Sequence, residues 1–145
     1  MSKTLLKRLS GLAILGVAVV CALILNSLGE AQQPSTYRVG FDGGVDLAEG
    51  TRPEIERAIE DALVREHARV VISGHTGTRG DTAANQALSA RRAETVAGKM
   101  LEAGVDEGRI TTLGKAGSEA LERRPDESER AFQRRLPRAE IVVAP

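Results

Sequence analysis

One arginine and one glycine-rich turn are the residues best placed to do chemistry. Between Val70 and Ala93 the chain reads V-V-I-S-G-H-T-G-T-R-G-D-T-A-A-N-Q-A-L-S-A-R-R-A. Val70, Val71 and Ile72 are β-branched and form a short apolar run suited to a buried strand, and Gly74, Gly77 and Gly80 then break it into loop. A helix follows, with Asp81 or Thr82 as its cap and Ala84, Ala87, Leu88 and Val96 on its inward face. Free backbone N–H groups at a helix start favour an anion. Arg92 stands four residues from both Leu88 and Val96, so its guanidinium lies along an otherwise apolar stripe. A cation there needs a carboxylate, a phosphate or a route to water. It either snorkels or pairs internally with Asp81 or Asp42, or it grips a ligand carboxylate bidentately at the lip of the loop.

The remaining reactive side chains point away from catalysis. His75 lies beside Ser73 and Thr76, but no G-x-S-x-G elbow exists, and the glycine loop lacks the G-K-[S/T] ending of a nucleotide cradle. His67 falls at a helix end, and with two histidines and no H-E-x-x-H a zinc hydrolase is not expected. His75 reads as structural, its ring bonding loop backbone. No enzyme, cofactor or metal is expected. Cys21 is the single cysteine, so no internal disulfide or thiolate cluster can form.

Charge and composition narrow the partners. Twenty basic and twenty acidic residues cancel, and the sequence pI is about 6.8, which argues against nucleic acid as the main partner. Aromatic residues are 2% of the chain, so stacking platforms for bases or sugars are essentially missing.

The elements that must position the loop can be read in order. Residues 1–8 form a basic head with Lys3, Lys7 and Arg8, and 9–28 is a chargeless apolar run. At 1.5 Å per residue that run spans roughly 30 Å, the thickness of a bilayer core, so a transmembrane anchor is expected with the N-terminus cytoplasmic and the domain outside. Gly29-Glu30-Ala31 leaves signal cleavage as the alternative, and lipidation of Cys21 is weighed as a third fate. Residues 29–36 read as a polar linker and 37–145 as the folded domain. Its expected strands are Tyr37–Phe41, Val70–Ile72, Arg109–Leu113 and Ala139–Val143, with Asp42-Gly43-Gly44 as a turn after the first. Its helices run from Pro53 to about Glu66, with Thr51 as one candidate cap, from Asp81 to a left-handed stop at Gly104, and around Glu127–Arg135. Ile55, Ala58, Ile59, Ala62 and Leu63 form the inward stripe of the first helix. Alternating strands and helices imply an α/β layered sandwich on a mixed sheet.

Gly74, His75, Thr76, Gly80, Asn85, Leu88, Ser89, Arg92 and Ala93 match in register the pattern G-H-T-x-x-x-G-x-x-x-x-N-x-x-L-S-x-x-R-A. That pattern resembles the OmpA-like periplasmic domain, and weaker similarity extends from about Tyr37 to Val143. The resemblance implies a β-α-β-α-β-(α)-β fold that binds the diaminopimelate stem of peptidoglycan non-covalently, in the bacterial envelope. It implies ligand-binding roles for Arg92, Thr76, Asn85, Asp81 and Arg138, and for Gly77, which stands where the family has an aspartate. Arg92 matches the arginine that grips a carboxyl group; Gly77 has no carboxylate to take the amino group, and Asp81 or Asp42 is the candidate substitute. The family ending N-R-R-V-E-I is here L-P-R-A-E-I, keeping Arg138 and Glu140. The alternative is a degenerate domain that docks another envelope protein without binding the wall.

Overall fold

Strands that alternate apolar and polar residues can bury only every second side chain, and this period decides which face of each strand meets the helices. The computed structural model describes residues 33–145. Within them the chain runs β1 (Ser35–Gly43), β2 (Asp46–Leu47), α1 (Arg52–Val64), β3 (Arg69–His75), α2 (Thr82–Glu102), a 3-10 turn (Glu107–Arg109), β4 (Ile110–Gly114), α3 (Glu129–Arg135) and β5 (Arg138–Ala144). The strands form one sheet in the order β2-β1-β5-β3-β4. β5 is antiparallel to β1 and β3, and β3 is parallel to β4. The last strand therefore lies at the centre. Its register sets Ala139 beside Val39 and Gly74, Ile141 beside Ile72, and Val143 beside Val70. These side chains meet Ile55, Ala58 and Ala62 of α1 and Ala93, Val96, Ala97 and Met100 of α2 in one core.

Several boundaries and faces differ from the sequence expectation. β1 begins at Ser35, inside the expected polar linker, because Ser35 and Thr36 pair with Val143 and Val142. It also continues to Gly43 and pairs with β2, which was not foreseen, through a turn at Gly44 with φ +48°. β3 extends through Gly74 to His75 and does not break at the glycine. Gly74 is a close-approach residue: a Cβ there would lie 1.9 Å from the Ser89 carbonyl oxygen of α2. The buried stripe of α2 is Ser89, Arg92, Ala93, Val96, Ala97 and Met100. Ala84 and Ala87 are exposed and Leu88 is half-buried, and side chains of the helix become buried only from Ser89 onward. In α1, Leu63 is 42% exposed, and Thr51 occupies the N-cap position without a side-chain cap bond.

The ends of the helices are well determined. Asp81 caps α2, its Oδ1 accepting the Ala84 N–H at 2.7 Å. Replacing Asp81 by alanine is expected to lower stability by about 1 kcal/mol, read as a shift in the urea midpoint. The C-terminus of α2 closes in a Schellman motif: Gly104 (φ +96°) donates to Leu101 O and Val105 to Met100 O. Ser128 caps α3 through Ala131 N–H, and Arg135 holds Glu127 bidentately at 2.6 Å, which keeps that carboxyl at about 2. Arg109 donates to the carbonyls of Ala62, Arg65 and Ala68, so the end of α1 is tied to the approach to β3. The expected basic head, the apolar run 9–28, Cys21 and the cleavage site lie outside the described residues. Among the described residues no helix is long and apolar enough to cross a membrane.

Candidate functional site

α2 carries Arg92 into the interior, where it is 3% exposed. Neither internal ion pair forms. Asp81 is spent on the helix cap, and Asp42 is exposed, its Oδ2 accepting Glu49 N–H at 3.4 Å. Arg92 instead donates from Nε to Gly44 O and from Nη1 to His75 O, each at 2.8 Å. It thus ties the β1–β2 turn to the end of β3. Its Cζ lies 5.1 Å from the centroid of Phe41, a cation–π contact. Burial lowers the pKa of this guanidinium, and among the described residues it has no carboxylate partner. Nη2 makes no hydrogen bond there. A buried cation held by carbonyl dipoles and a ring face, with no anion, keeps an uncompensated positive charge.

Phe41 connects Arg92 to an open cleft of about 650 Å³. Asp42, Arg79, Glu129, Arg130, Gln133, Arg134 and Pro137 complete its lining. These come from the end of β1, the loop after β3, α3 and the link from α3 to β5. Glu129 is shared by Arg79 at 3.2 Å and Arg123 at 3.1 Å, and it also accepts the Gln133 amide. Arg130 and Arg134, one helical turn apart on α3, have no acidic partner among the described residues.

The sequence-derived site residues divide into several places. Gly77 faces the cleft side: a Cβ there would stand 3.5 Å from Gln133 Oε1, an ordinary contact. Gly77 and Asn85 also line a second cleft, of about 440 Å³, with Gly80, Thr82 and residues 114–118. Thr76 is buried; its N–H bonds Ala116 O and its hydroxyl bonds Gly77 O. Asn85 donates to Arg79 O at 3.0 Å. Thr76 and Asn85 therefore shape the loop. Arg138 does not join Arg92. Its neighbour Ala139 faces the helices, so Arg138 projects from the opposite face of the sheet, where it bonds Glu140 at 2.8 Å and Glu119 O at 2.9 Å. That alternation separates Arg138 from Arg92, which the sequence reading had placed in one site. Arg79, Glu129, Arg130, Gln133 and Arg134 escaped sequence reasoning. The only local signal was the spacing of Arg130 and Arg134, which places both on one side of a helix.

His75 also departs from expectation. Its ring does not bond loop backbone: it is fully buried, and neither Nδ1 nor Nε2 has a partner among the described residues. It faces Arg138, Glu140, Glu119 and Lys115, and its pKa is lowered, first by burial and then by Arg138. The folded state therefore resists protonating His75 while the unfolded chain takes a proton near the ordinary value of 6.5. Stability should fall as pH drops below that value. Urea midpoints between pH 5 and 8 check this; His75→Phe, which has no imidazole to protonate in either state, should remove much of the decline.

The sequence profile of the OmpA family matches residues 42–134. A peptidoglycan-associated lipoprotein of Legionella pneumophila is 32% identical over 107 residues, covering 74% of this chain and 60% of that protein. The chain thus spans about three fifths of the length of that relative. Among solved structures, the peptidoglycan-associated lipoprotein of Burkholderia pseudomallei superposes with a TM-score of 0.64 at 19% identity, covering 74% of this chain and 89% of that one. A MotB-like protein of Desulfovibrio vulgaris gives 0.59 at 26% identity, covering 77% and 73%. The first of these structures speaks for the fold alone.

Proposed function

The chain belongs to the OmpA family, and from that premise we propose that its folded domain binds peptidoglycan non-covalently in the bacterial envelope, as a binding module and not an enzyme. The observation that carries this reading is Arg92, a buried guanidinium with no carboxylate among the described residues, set behind Phe41 at a cleft rich in arginine. An anionic group of the stem peptide supplies the missing negative charge. Arg92 has a second duty, since its bonds to Gly44 O and His75 O hold the cleft's rim in place. Thr76, Asn85 and Asp81 act by shaping the loop, and Arg138 buttresses the far side of the sheet. Residues 9–28 anchor the protein in the inner membrane, with the domain on the periplasmic side. Binding is weak because Gly77 offers no carboxylate to an ammonium.

Co-sedimentation of the full chain, in mild detergent, with diaminopimelate-type sacculi tests this reading. Wild type should sediment in part. Gly77→Asp fits without backbone strain and places a carboxylate beside the cleft. A charge-assisted hydrogen bond contributes about 1.5–3 kcal/mol, so affinity should rise on the order of ten- to a hundredfold. If wild type and Gly77→Asp both stay in the supernatant, the wall-binding reading is wrong. The second reading, a protein-docking module, would then draw on the exposed apolar groove of Ile59, Leu63, Val64 and Ala103, where Val64 is 76% exposed.

A further inference from the structure

The charges around the cleft are unequal in how far they are already satisfied. Of its two acids, Glu129 has both oxygens engaged: Oε1 accepts from Arg79 and Gln133, and Oε2 pairs with Arg123. Asp42 is one exposed carboxylate. Gly77 contributes none. Against these stand Arg130 and Arg134, which line the cleft without an acidic partner among the described residues, and Arg92, uncompensated behind Phe41. An i,i+4 pair of like charges on α3 places two cations about 5–6 Å apart at Cβ, where they repel unless an anion lies between or across them. An ammonium entering this cleft would meet a net positive field with no open acidic pair to receive it.

We infer that the cleft reads its ligand through a negatively charged group held by Arg130 with Arg134, and that a ligand ammonium contributes nothing. This rests on the wall-binding reading and specifies its ligand: a stem peptide recognised by its carboxylates, whether its side-chain amine is free or already acylated in a cross-link. Asp42 stays solvated at the mouth, and Glu129 sets the spread of the arginines.

Calorimetry on the full chain tests this with a soluble tripeptide stem ending in diaminopimelate, in three forms: unmodified, N-acetylated on the side-chain amine, and amidated on the diaminopimelate carboxylates. Acetylation should leave Kd within about twofold, and amidation should weaken it by at least about tenfold. The double variant Arg130→Gln/Arg134→Gln should lose a similar factor, with unchanged helical circular dichroism and a shallower salt dependence. In Gly77→Asp, acetylation should become costly, because an acid is then present to hold the amine. A tenfold loss on acetylating the ligand of wild type, or unaltered binding by the arginine double variant, would overturn the inference while leaving wall binding intact. Absence of binding to any form by both wild type and Gly77→Asp would overturn the wall-binding reading and the inference together.

Discussion

Gly74→Ala is expected to be among the most damaging single-methyl additions in the domain, costing about 3 kcal/mol or more, at the upper end of what overpacking a core exacts. Gly74 is paired on both sides, with Ala139 of β5 and Gly114 of β4, so the strand cannot step aside. The added Cβ would sit 1.9 Å from Ser89 O and 2.9 Å from Ser89 C, and these are backbone atoms that no rotamer change can move. Relief requires α2 to lift off the sheet, and with it Arg92, Ala93 and Val96. Gly77→Ala is the internal control, because its Cβ would meet only the end of a flexible glutamine at 3.5 Å. Urea melts followed by circular dichroism should separate the two variants clearly. Equal midpoints would show that the approach of α2 to β3 is looser than described.

Arg92→Met should cost about 3 kcal/mol, since two hydrogen bonds from a charged donor contribute roughly 1.5–3 kcal/mol each and the methionine recovers part of the loss by packing. Gly44 O and His75 O would lose their donor, and the β1–β2 turn would be released from the end of β3. Arg92→Lys gives a sharper reading of the same site. A lysine keeps the charge but has no planar fork, so it can serve the two carbonyls only with poorer geometry. We expect Arg92→Lys to lie between wild type and Arg92→Met in thermal midpoint, and to bind sacculi more weakly than wild type at temperatures where both are folded. A fully stable Arg92→Met that no longer binds would leave the ligand role standing and remove the structural one.

Local signals in the chain were strong where neighbouring residues supply their own partners. The cap at Asp81 and the Schellman stop at Gly104 close within a few residues, so residue type and spacing narrowed the cap to Asp81 or Thr82 and placed the stop. The β-branched run Val70–Ile72 and the Arg92–Val96 side of α2 also announced their burial through period alone. The inward face of the first turns of α2 was misread because periodicity does not say where burial starts, and Ala84 and Ala87 stay exposed. Gly74 and Gly77 look alike in sequence, yet one lies inside a strand against a helix and the other lies in an open loop.

The sequence by itself determined that strands and helices alternate, where the long helix stops, that Arg92 turns inward, and that residue 77 carries no carboxylate. Only the tertiary structure decided what Arg92 meets there. Its partner Gly44 is 48 residues away along the chain, and Phe41 belongs to the same distant strand end. It also decided that β5 takes the centre of the sheet, which sends Arg138 to the face away from Arg92 and brings Arg130 and Arg134 to the cleft instead. The physical reason is the same in each case. Hydrophobic period and capping act over one or two turns of chain, whereas the carbonyls and cations that surround a buried charge are delivered by strand order, which is settled by how whole elements pack.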